Sequence, residues 1–240
     1  MIAVVIPALD EGSRIERAIR AVRGSSGAGG EVQVESRPLG PYSGAVEIVV
    51  VDGGSQDDTA AQATQAGARV IRTGPGRARQ LEAGWRASEG DVVLFLHADT
   101  RLEDGWAVAM AESLQDPHVV GGSFRLGFDA PGRFFRMLEA AVAFRVRWFG
   151  LPYGDQGLFV RRSTLEAIGG VPDVPLMEDL DLVWAMRKQG RLVSLAAQAE
   201  TSARRYLESG RWATAVRHLG ALMLWGLGVD RARIARWVAR

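Results

Sequence analysis

The sequence predicts an α/β fold in which a mostly parallel central sheet carries helices on both faces. Short apolar segments alternate with segments of helical period four times within the first 96 residues. Most connections between them are short, which is typical of βαβ units. The chain has 240 residues and is 47% hydrophobic, enough for one domain with a sizeable core.

Four apolar segments of the first half are expected to be strands, because each is short and bounded by turn residues. They are residues 3–6, 47–51, 68–72 and 92–96. Helices are expected at 13–23, where Ile15, Ile19 and Val22 share one face, at 55–66 and at 77–88. Residues 55–58 have the spacing of a capping box. The Gly-, Ser- and Pro-rich residues 24–44 have no period and predict an exposed insertion.

The second half is less regular. Its expected helices are 105–114, 133–149 and 180–189, and its expected strands are 157–161 and 192–195. The tail from 211 to 240 predicts one or two arginine-rich amphipathic helices. We therefore predict a domain over residues 1–203 and a helical appendage over 204–240, which packs on the domain, forms a homodimer or lies on a membrane surface.

Composition narrows the classes of function. The net charge of +1 gives no argument for nucleic acid as a partner. The absence of cysteine excludes disulfides and thiolate metal sites and fits a cytoplasmic protein. No run of about 20 apolar residues predicts a membrane span, and the N-terminus predicts a strand rather than a signal peptide. Lys188 is the single lysine, which disfavours a Schiff-base mechanism.

Acidic turns follow three of the four predicted strands. Asp10 and Glu11 follow the first, Asp52 the second and Asp99 the fourth. Ligands of open parallel sheets bind outside the carboxyl ends of the strands, where these turns would meet. Each acid alone could cap a helix or a turn. Together, these carboxylates concentrate negative charge that a cation or hydrogen-bond donors must offset. The three turns therefore predict a site for a metal ion and for a ribose or base.

Four segments resemble motifs of family 2 glycosyltransferases, which have the Rossmann-like GT-A fold. VVVDGGSQDDT at 49–59 resembles the nucleotide-binding turn, and IPALDE at 6–11 the opening strand and loop. FLHADT at 95–100 stands where the family has its Asp-x-Asp metal motif. MEDLDL at 177–182 matches the Glu-Asp motif that supplies the catalytic base. The resemblance extends from residue 1 to about Leu195.

The resemblance implies metal-assisted, inverting transfer of a sugar from a nucleotide diphosphate, with UDP favoured, to an acceptor hydroxyl. Asp179 would be the general base and Glu178 would support it or contact the acceptor. Asp99 would ligate Mn²⁺ or Mg²⁺ across the diphosphate. The expected donor-binding residues are Pro7, Leu9, Glu11, Asp52, Gly54, Arg77, His97, Ala98 and Arg205.

His97 departs from the family pattern, because it stands at the first acidic position of Asp-x-Asp. As a softer ligand, His97 would suit manganese better than magnesium. It could instead bond the ribose or a phosphate, or pack at the strand end.

Basic residues are candidates for phosphate contacts. Arg77 opens a helix after Gly74-Pro75-Gly76, where the helix N-terminus and the guanidinium both attract phosphate. Exposed surface is the competing interpretation of this arginine. Arg205 follows the last predicted strand and is a second candidate.

The sugar or acceptor pocket is expected to include Gly122, Asp155 and Gln156. YGDQG at 153–157 places two polar residues between glycines, which allows close backbone approach to a ligand. A tight turn is the alternative interpretation of Asp155.

The short chain, with LHADT at 96–100 and YGDQG at 153–157, resembles a bacterial subgroup associated with arsenosugar or selenosugar gene clusters. A lipid or carotenoid acid acceptor is the main alternative within the family. A nucleotidyltransferase is disfavoured because the first loop is acidic rather than Gly-rich and basic. A non-catalytic nucleotide-binding or membrane-associated protein would tolerate replacement of Asp179.

Overall fold

An eight-stranded sheet forms the centre of the molecule. The computed structural model describes residues 1–24 and 45–238, so the predicted insertion lies almost wholly outside the described residues. The strands are β1 Ile2–Ala8, β2 Val46–Asp52, β3 Arg69–Arg72, β4 Val92–Phe95, β5 Thr100–Leu102, β6 Val119–Phe128, β7 Leu158–Arg161 and β8 Arg191–Thr201.

The strand order is β3-β2-β1-β4-β7-β6-β8-β5. The first four strands are parallel to one another, as predicted. Strand β7 runs antiparallel to β4 and β6, while β6 and β8 are parallel and β5 is antiparallel to β8. The predicted mostly parallel α/β sheet is therefore confirmed. Strands β5 and β6 were not predicted, and β8 is much longer than the expected residues 192–195.

Helices surround the sheet, and each predicted helix has a counterpart among them. They are α1 Gly12–Gly24, α2 Thr59–Gln65, α3 Arg77–Ala87, α4 Trp106–Ser113, α5 Arg133–Phe149, α6 Arg162–Ile168, α7 Glu178–Arg187, α8 Arg204–Glu208, α9 Arg211–Gly226 and α10 Arg231–Val238. A short 3-10 helix covers Gly154–Gln156. Helices α6 and α8 were not predicted. Among residues 1–24 and 45–238, no helix has the length and apolarity needed to cross a membrane.

Helices cover both faces of the sheet. Alternate residues of β1 point to opposite faces, as the strand period requires. Val4 and Ile6 belong to a core that includes Ile15 of α1 and Trp106 of α4. Val5 belongs to a second core with residues of α3, α6 and α7. Burial on both faces explains why the parallel strands are unbroken apolar runs in the sequence.

The expected capping box at 55–58 is wrong. Helix α2 begins at Thr59, and Asp58 makes no capping hydrogen bond with its side chain. The Ser55 hydroxyl instead accepts from the backbone N–H of Asp10, 3.0 Å away. Asp57 accepts from the backbone N–H of Thr59 at 3.0 Å. The Ser55 hydroxyl was predicted to cap α2, but it instead forms a hydrogen bond that joins the loop after β2 to the loop after β1.

A third, aromatic core joins the end of the sheet to the C-terminal helices. It contains Leu126 and Phe128 of β6 and Phe135 of α5, with Phe134 and Tyr206 packed against it. The Phe128 and Tyr206 rings lie 5.4 Å apart. The segment after 203 therefore contacts the sheet domain closely.

Candidate functional site

A cavity of about 280 Å³ opens at the carboxyl ends of the sheet strands. Its wall includes residues that follow β1, β4 and β8, and Phe128 at the end of β6, four strands that run in the same direction. The loops before the 3-10 helix and before α7 form another side, and α8 and α9 a third. Seven of the predicted site residues line it: Glu11, Arg77, His97, Asp99, Asp155, Asp179 and Arg205.

The loops after β1 and β2 are bonded to each other. Asp10 has a φ of 54°, and its carboxylate accepts from the backbone N–H of Gln56 at 2.8 Å. Buried Gln80 of α3 donates to the carbonyls of Ala8 at 2.9 Å and Val51 at 2.8 Å. These bonds fix the two strand ends next to the cavity.

Asp52 and Glu11 occupy different environments within these loops. Asp52 is buried, and its carboxylate accepts from the backbone N–H of Ser55 at 2.9 Å. Asp52 does not line the cavity. Glu11 does line it, pairs with Arg14 and donates its backbone N–H to the Thr59 hydroxyl at 2.8 Å. Glu11 is therefore at the cavity, whereas the Asp52 carboxylate stabilises the turn after β2.

Asp99 presents a carboxylate to the cavity. Within residues 1–24 and 45–238, this carboxylate makes neither a hydrogen bond nor an ion pair. The described residues contain no group of three His, Asp or Glu side chains placed to hold a metal ion. One free carboxylate suits a hard cation that takes its other ligands from phosphate and water.

Arg77 connects three parts of the site. Its guanidinium contacts His97 Nε2, and its Nε lies 2.9 Å from Glu178 Oε1. Burial, with the positive charges of Arg77 and Arg205, holds the pKa of His97 well below its usual range, so the imidazole is neutral. Because the Arg77 guanidinium is in contact with His97 Nε2, the arrangement favours a polar-contact role for His97 over metal ligation.

The carboxylate of Asp179 is held at the cavity by backbone groups. Gly154 donates its N–H to Asp179 Oδ2 at 2.8 Å, and Leu180 donates to Oδ1 at 2.9 Å. Asp179 lies in the first turn of α7, where the helix dipole stabilises negative charge. Neighbouring Glu178 is 5% exposed and turns to Arg77 instead, and burial raises its pKa. The structure thus places Glu178 behind the cavity wall and Asp179 on it.

Asp155 lines the cavity with an unsatisfied oxygen. Its Oδ1 is buried and has no hydrogen-bond partner among the described residues. Burial raises the pKa of Asp155 to about 6, against the opposing effect of Arg145. A buried acceptor without a donor is costly, so this atom suits a ligand hydroxyl.

Gln156 supports the loop instead of lining the cavity. Its amide donates to the Phe124 carbonyl at 3.1 Å and accepts from the backbone N–H of Tyr153 at 3.1 Å. Arg145 reaches the same amide oxygen at 3.3 Å and stacks over the Tyr153 ring, 3.5 Å from its centroid. These bonds fix the loop that carries Gly154 and Asp155, while Gln156 itself is buried.

Gly122, which was predicted for the sugar or acceptor pocket, lies inside the sheet and does not line the cavity. It pairs with Phe159 of β7 and Val193 of β8 inside the sheet. A Cβ at this position would come within 2.2 Å of the Val193 carbonyl oxygen. Close packing between strands therefore explains this glycine.

The remaining predicted donor residues do not line the cavity. Pro7 lies in β1, Leu9 is 47% exposed in the loop that follows, and Gly54 has a φ of 99° with open space at its Cβ position. Ala98 lines a smaller neighbouring cavity of about 140 Å³, which also reaches Asp99. The Asp52-Gly54 turn thus lies outside the main cavity.

The C-terminal helices contribute residues that the sequence did not identify. Tyr206 and His218 line the cavity, and the Tyr206 hydroxyl bonds His218 Nδ1 at 3.1 Å. Burial raises the pKa of Tyr206 to about 12 and lowers that of His218. Arg205 faces the cavity and makes no ion pair within the described part of the chain. The sequence feature that could have identified His218 is a single histidine within a predicted amphipathic helix.

An α/β sheet with carboxylates and arginines around a cavity at its strand ends has the arrangement in which open-sheet proteins bind their ligands. The sequence profile of Glycosyl transferase family 2 matches residues 3–170. The chain therefore belongs to glycosyl transferase family 2.

Curated relatives match part of the chain. The glucosyl-3-phosphoglycerate synthase of Mycolicibacterium paratuberculosis is 38% identical over 108 residues, which are 41% of this chain and 28% of that protein. An uncharacterized protein of Mycobacterium tuberculosis is 32% identical over 124 residues, 50% of this chain and 34% of that protein. The chain thus spans about a third of the length of these relatives.

Solved structures share the fold. Glucosyl-3-phosphoglycerate synthase from Mycobacterium tuberculosis, in complex with Mg²⁺ and UDP, has a TM-score of 0.62 at 21% identity and covers 96% of this chain and 80% of its own. A mannosyltransferase from Pyrobaculum calidifontis, in complex with GDP-Man and Mn²⁺, has a TM-score of 0.64 at 19% identity, with coverages of 92% and 60%. These likenesses confirm the predicted GT-A fold.

Proposed function

We propose that this chain transfers a sugar from a nucleotide-diphosphate donor, UDP being favoured, to an acceptor hydroxyl. One observation carries the proposal: the free Asp99 carboxylate and the backbone-anchored Asp179 carboxylate line the same cavity as Arg77 and Arg205. The family supports it, as do the related structures, whose ligands include UDP, UDP-glucose and GDP-Man with Mg²⁺ or Mn²⁺.

Asp99 is the residue that would hold the divalent cation, together with donor phosphates and water. Its carboxylate has no competing partner among the described residues. The cation, Mn²⁺ or Mg²⁺, would stabilise the negative charge of the leaving diphosphate. His97 would contact the donor as a neutral imidazole, because burial and two arginines keep it unprotonated.

The arginines of the cavity suit the diphosphate. Arg77 stands at the first residue of α3, where the helix N-terminus adds a favourable dipole for phosphate. Arg205 lies across the cavity on α8 and has no carboxylate partner in the described residues. Glu11, in the loop after β1, would accept hydrogen bonds from the donor's base or ribose. Asp52 and Gly54 would shape the turn beside it.

Asp179 would remove the proton from the acceptor hydroxyl as that oxygen attacks the anomeric carbon. The Gly154 N–H fixes one carboxylate oxygen, and Glu178 fixes Arg77 behind it. A single base with direct displacement gives inversion at the anomeric carbon. The unpartnered Asp155 oxygen would accept a hydroxyl of the sugar or acceptor.

We further propose that the acceptor is of the kind used by the arsenosugar- or selenosugar-associated subgroup, with a lipid or carotenoid acid as the alternative. The resemblance of LHADT and YGDQG to that subgroup supports this assignment. We expect a cytoplasmic protein, with packing on the domain, homodimerisation and contact with the inner membrane surface as the alternative roles of its C-terminal helices. Phosphoglycerate is bound by the related synthase of Mycobacterium tuberculosis and is the first acceptor to assay.

Donor binding is tested by thermal unfolding with UDP, GDP and their sugars, each with and without Mn²⁺. We expect one nucleotide diphosphate to raise the melting temperature only with metal, and Asp99→Ala to abolish that rise. Glu166→Ala, an exposed carboxylate on α6, is the matched control and should respond like the parent protein. A rise that persists in Asp99→Ala would refute the proposed metal site.

The base is tested separately from donor binding. Asp179→Asn retains an oxygen for the Gly154 N–H, so it should keep the donor-induced rise in melting temperature while turnover falls about a thousandfold. A nearly unchanged turnover would rule out Asp179 as the base.

A further inference from the structure

Exposed apolar side chains are concentrated in one part of the molecule. Of the thirteen large apolar residues that are exposed in the described part of the chain, four lie on α5 and seven lie between residues 207 and 237. Scattered single exposed residues are normal, whereas a concentration of this kind marks an interaction surface.

Helix α9 carries an outer stripe of exposed apolar residues. The stripe consists of Trp212, Val216, Leu219, Met223 and Leu227, the last being the residue that follows the helix. Their spacing of three and four residues places them on one helix face. The opposite face is buried through Thr214 and Ala221, and Ala221 and His218 line the cavity. Apart from Trp212, which contacts Phe134 of α5, the outer stripe is therefore not needed to pack α9 on the domain.

Helix α5 carries a second exposed apolar face. Met137, Phe144 and Trp148 are 45%, 58% and 72% exposed and recur at helical spacing. The N-terminal ends of α5 and α9 touch, because the Phe134 and Trp212 rings lie 5.0 Å apart. The two faces thus belong to neighbouring elements, and we call α5 and residues 204–238 together the basic apolar surface.

The charge of this surface is strongly positive. It contains eleven arginines and three acidic residues, Glu139, Glu208 and Asp230. The rest of the chain has 18 basic and 25 acidic residues. Arg133 and Arg147 of α5 are exposed and make no ion pair within the described residues. Apolar side chains bordered by unpaired arginines are typical of helices that lie at a lipid interface.

We propose that the basic apolar surface binds peripherally to a bilayer that contains anionic lipid. Anionic headgroups complement the arginines, and the outer stripe is accommodated at the headgroup–acyl boundary. A second copy of the chain would bring the exposed arginines of this surface, such as Arg133 and Arg147, against their own counterparts, and this like-charge repulsion opposes a homodimer through the same face. The inference does not depend on the proposed sugar transfer.

The test is co-sedimentation of the full chain with phosphatidylcholine vesicles prepared with and without phosphatidylglycerol. We expect binding to the anionic vesicles, weak binding to the neutral ones, and loss of binding as salt is raised. The combined variant Val216→Ser, Leu219→Ser, Met223→Ser should bind at least about tenfold more weakly. Trp184→Ser on α7, which removes an exposed apolar residue outside this surface, should bind like the parent protein.

The electrostatic contribution to vesicle binding is tested with a separate set of arginine variants and a control. Arg133→Gln with Arg147→Gln should reduce binding about fivefold for each arginine removed, whereas Arg20→Gln on α1 should leave it unchanged. All of these positions are exposed, so melting temperatures should stay near that of the parent protein. Retention of the donor-induced rise in melting temperature in the serine variant separates this test from that of the proposed function.

Several results would overturn the proposal. They are failure to bind anionic vesicles, equal binding by the serine variant, and a dimer in analytical ultracentrifugation that the serine variant dissociates while vesicles leave it intact. A further contradicting result combines two observations: the parent protein does not bind vesicles, and the serine variant melts at a much lower temperature. Together they would show that another part of the chain covers the outer stripe.

Discussion

Gly154 is the point at which Arg77, His97 and Asp179 approach one another. A Cβ on this residue would lie 2.1 Å from Arg77 Nη2, 3.2 Å from His97 Nε2 and 3.3 Å from Asp179 Oδ2. Its φ is not in the left-handed region, so space and not backbone conformation demands glycine. The absence of a side chain here allows the Asp179 carboxylate, the Arg77 guanidinium and the His97 imidazole to share one wall of the cavity.

We therefore expect Gly154→Ala to displace Arg77 and the bond that orients Asp179. Because misplacing a reacting group by about 1 Å costs about a hundredfold, turnover should fall by about that factor. The free energy of unfolding should fall by only about 1–3 kcal/mol, since the flexible Arg77 side chain can move. Steady-state kinetics and urea unfolding measure the two effects.

The matched control is Gly226→Ala, a helical glycine whose added Cβ meets no atom within 4 Å. It should keep full activity. Undiminished turnover in Gly154→Ala would contradict the arrangement described for the cavity.

Asp155 illustrates a site residue that opposes folding. Burial raises its pKa from an ordinary value of 3.8 to about 6. As pH rises through this window, the unfolded chain loses the proton first, so the stability of the folded state falls and stays reduced above about pH 6. A cavity residue with an unsatisfied buried oxygen thus lowers stability at neutral pH.

Asp155→Asn should consequently unfold at higher urea concentration than the parent protein at about pH 8, by up to about 2–3 kcal/mol, with almost no difference at about pH 4. Urea titrations at the two pH values provide the measurement. Asp58→Asn, an exposed aspartate at the start of α2, serves as the control. A stability difference that is the same at both pH values would show that burial of the charge is not the cause.

At the scale of elements, helix α10 holds the first turn of helix α7, which carries Asp179, in place. Helix α7 begins at Glu178, two residues before the predicted start, and its first turn contains Glu178, Asp179 and Asp181. Arg231 of α10 donates to Asp181 at 2.8 Å and to the Leu176 carbonyl at 3.0 Å. The acidic turn is favourable because the helix dipole and Arg231 both offset its charge.

The elements differ in how well the sequence predicted them. Strands β1, β2 and β4 are buried on both faces, and this produces apolar runs that are easily recognised. Strand β6 was missed because Gly121 and Gly122 suggest a loop, although close strand packing is what requires them. Strand β8 is partly exposed over most of its length, so its mixed sequence has no clear pattern. Propensity is outweighed here by pairing with neighbouring strands.

At the scale of the whole molecule, residues on both sides of the predicted boundary at 203 line the same cavity. Arg205, Tyr206 and His218 line the cavity, and Ile234 is buried. Tyr206 also packs on Phe128 and Phe135 of the aromatic core. The C-terminal helices therefore complete the site and also present the basic apolar surface on their other side.

A chain that ends at residue 203 should accordingly melt at a lower temperature than the full chain and lose the donor-induced rise, because the aromatic core is exposed and Arg205 is missing. A chain that ends at residue 228 keeps α8 and α9 and should be affected less. Calorimetry and donor titration of the three chains measure this. Equal melting temperatures would show that the segment after 203 is not part of the folded unit.

The sequence by itself determined the α/β class, the first four strands and the order of the four family motifs, because burial periodicity and motif spacing are local properties of the chain. It also identified seven residues of the cavity wall. Only the tertiary structure decided that Asp52, Gly122 and Gln156 lie off that wall, that Glu178 holds Arg77, and that Tyr206 and His218 join the site. These relations depend on which distant segments come into contact and on which donor is hydrogen-bonded to each buried acceptor. Residue spacing along the chain does not determine either of them.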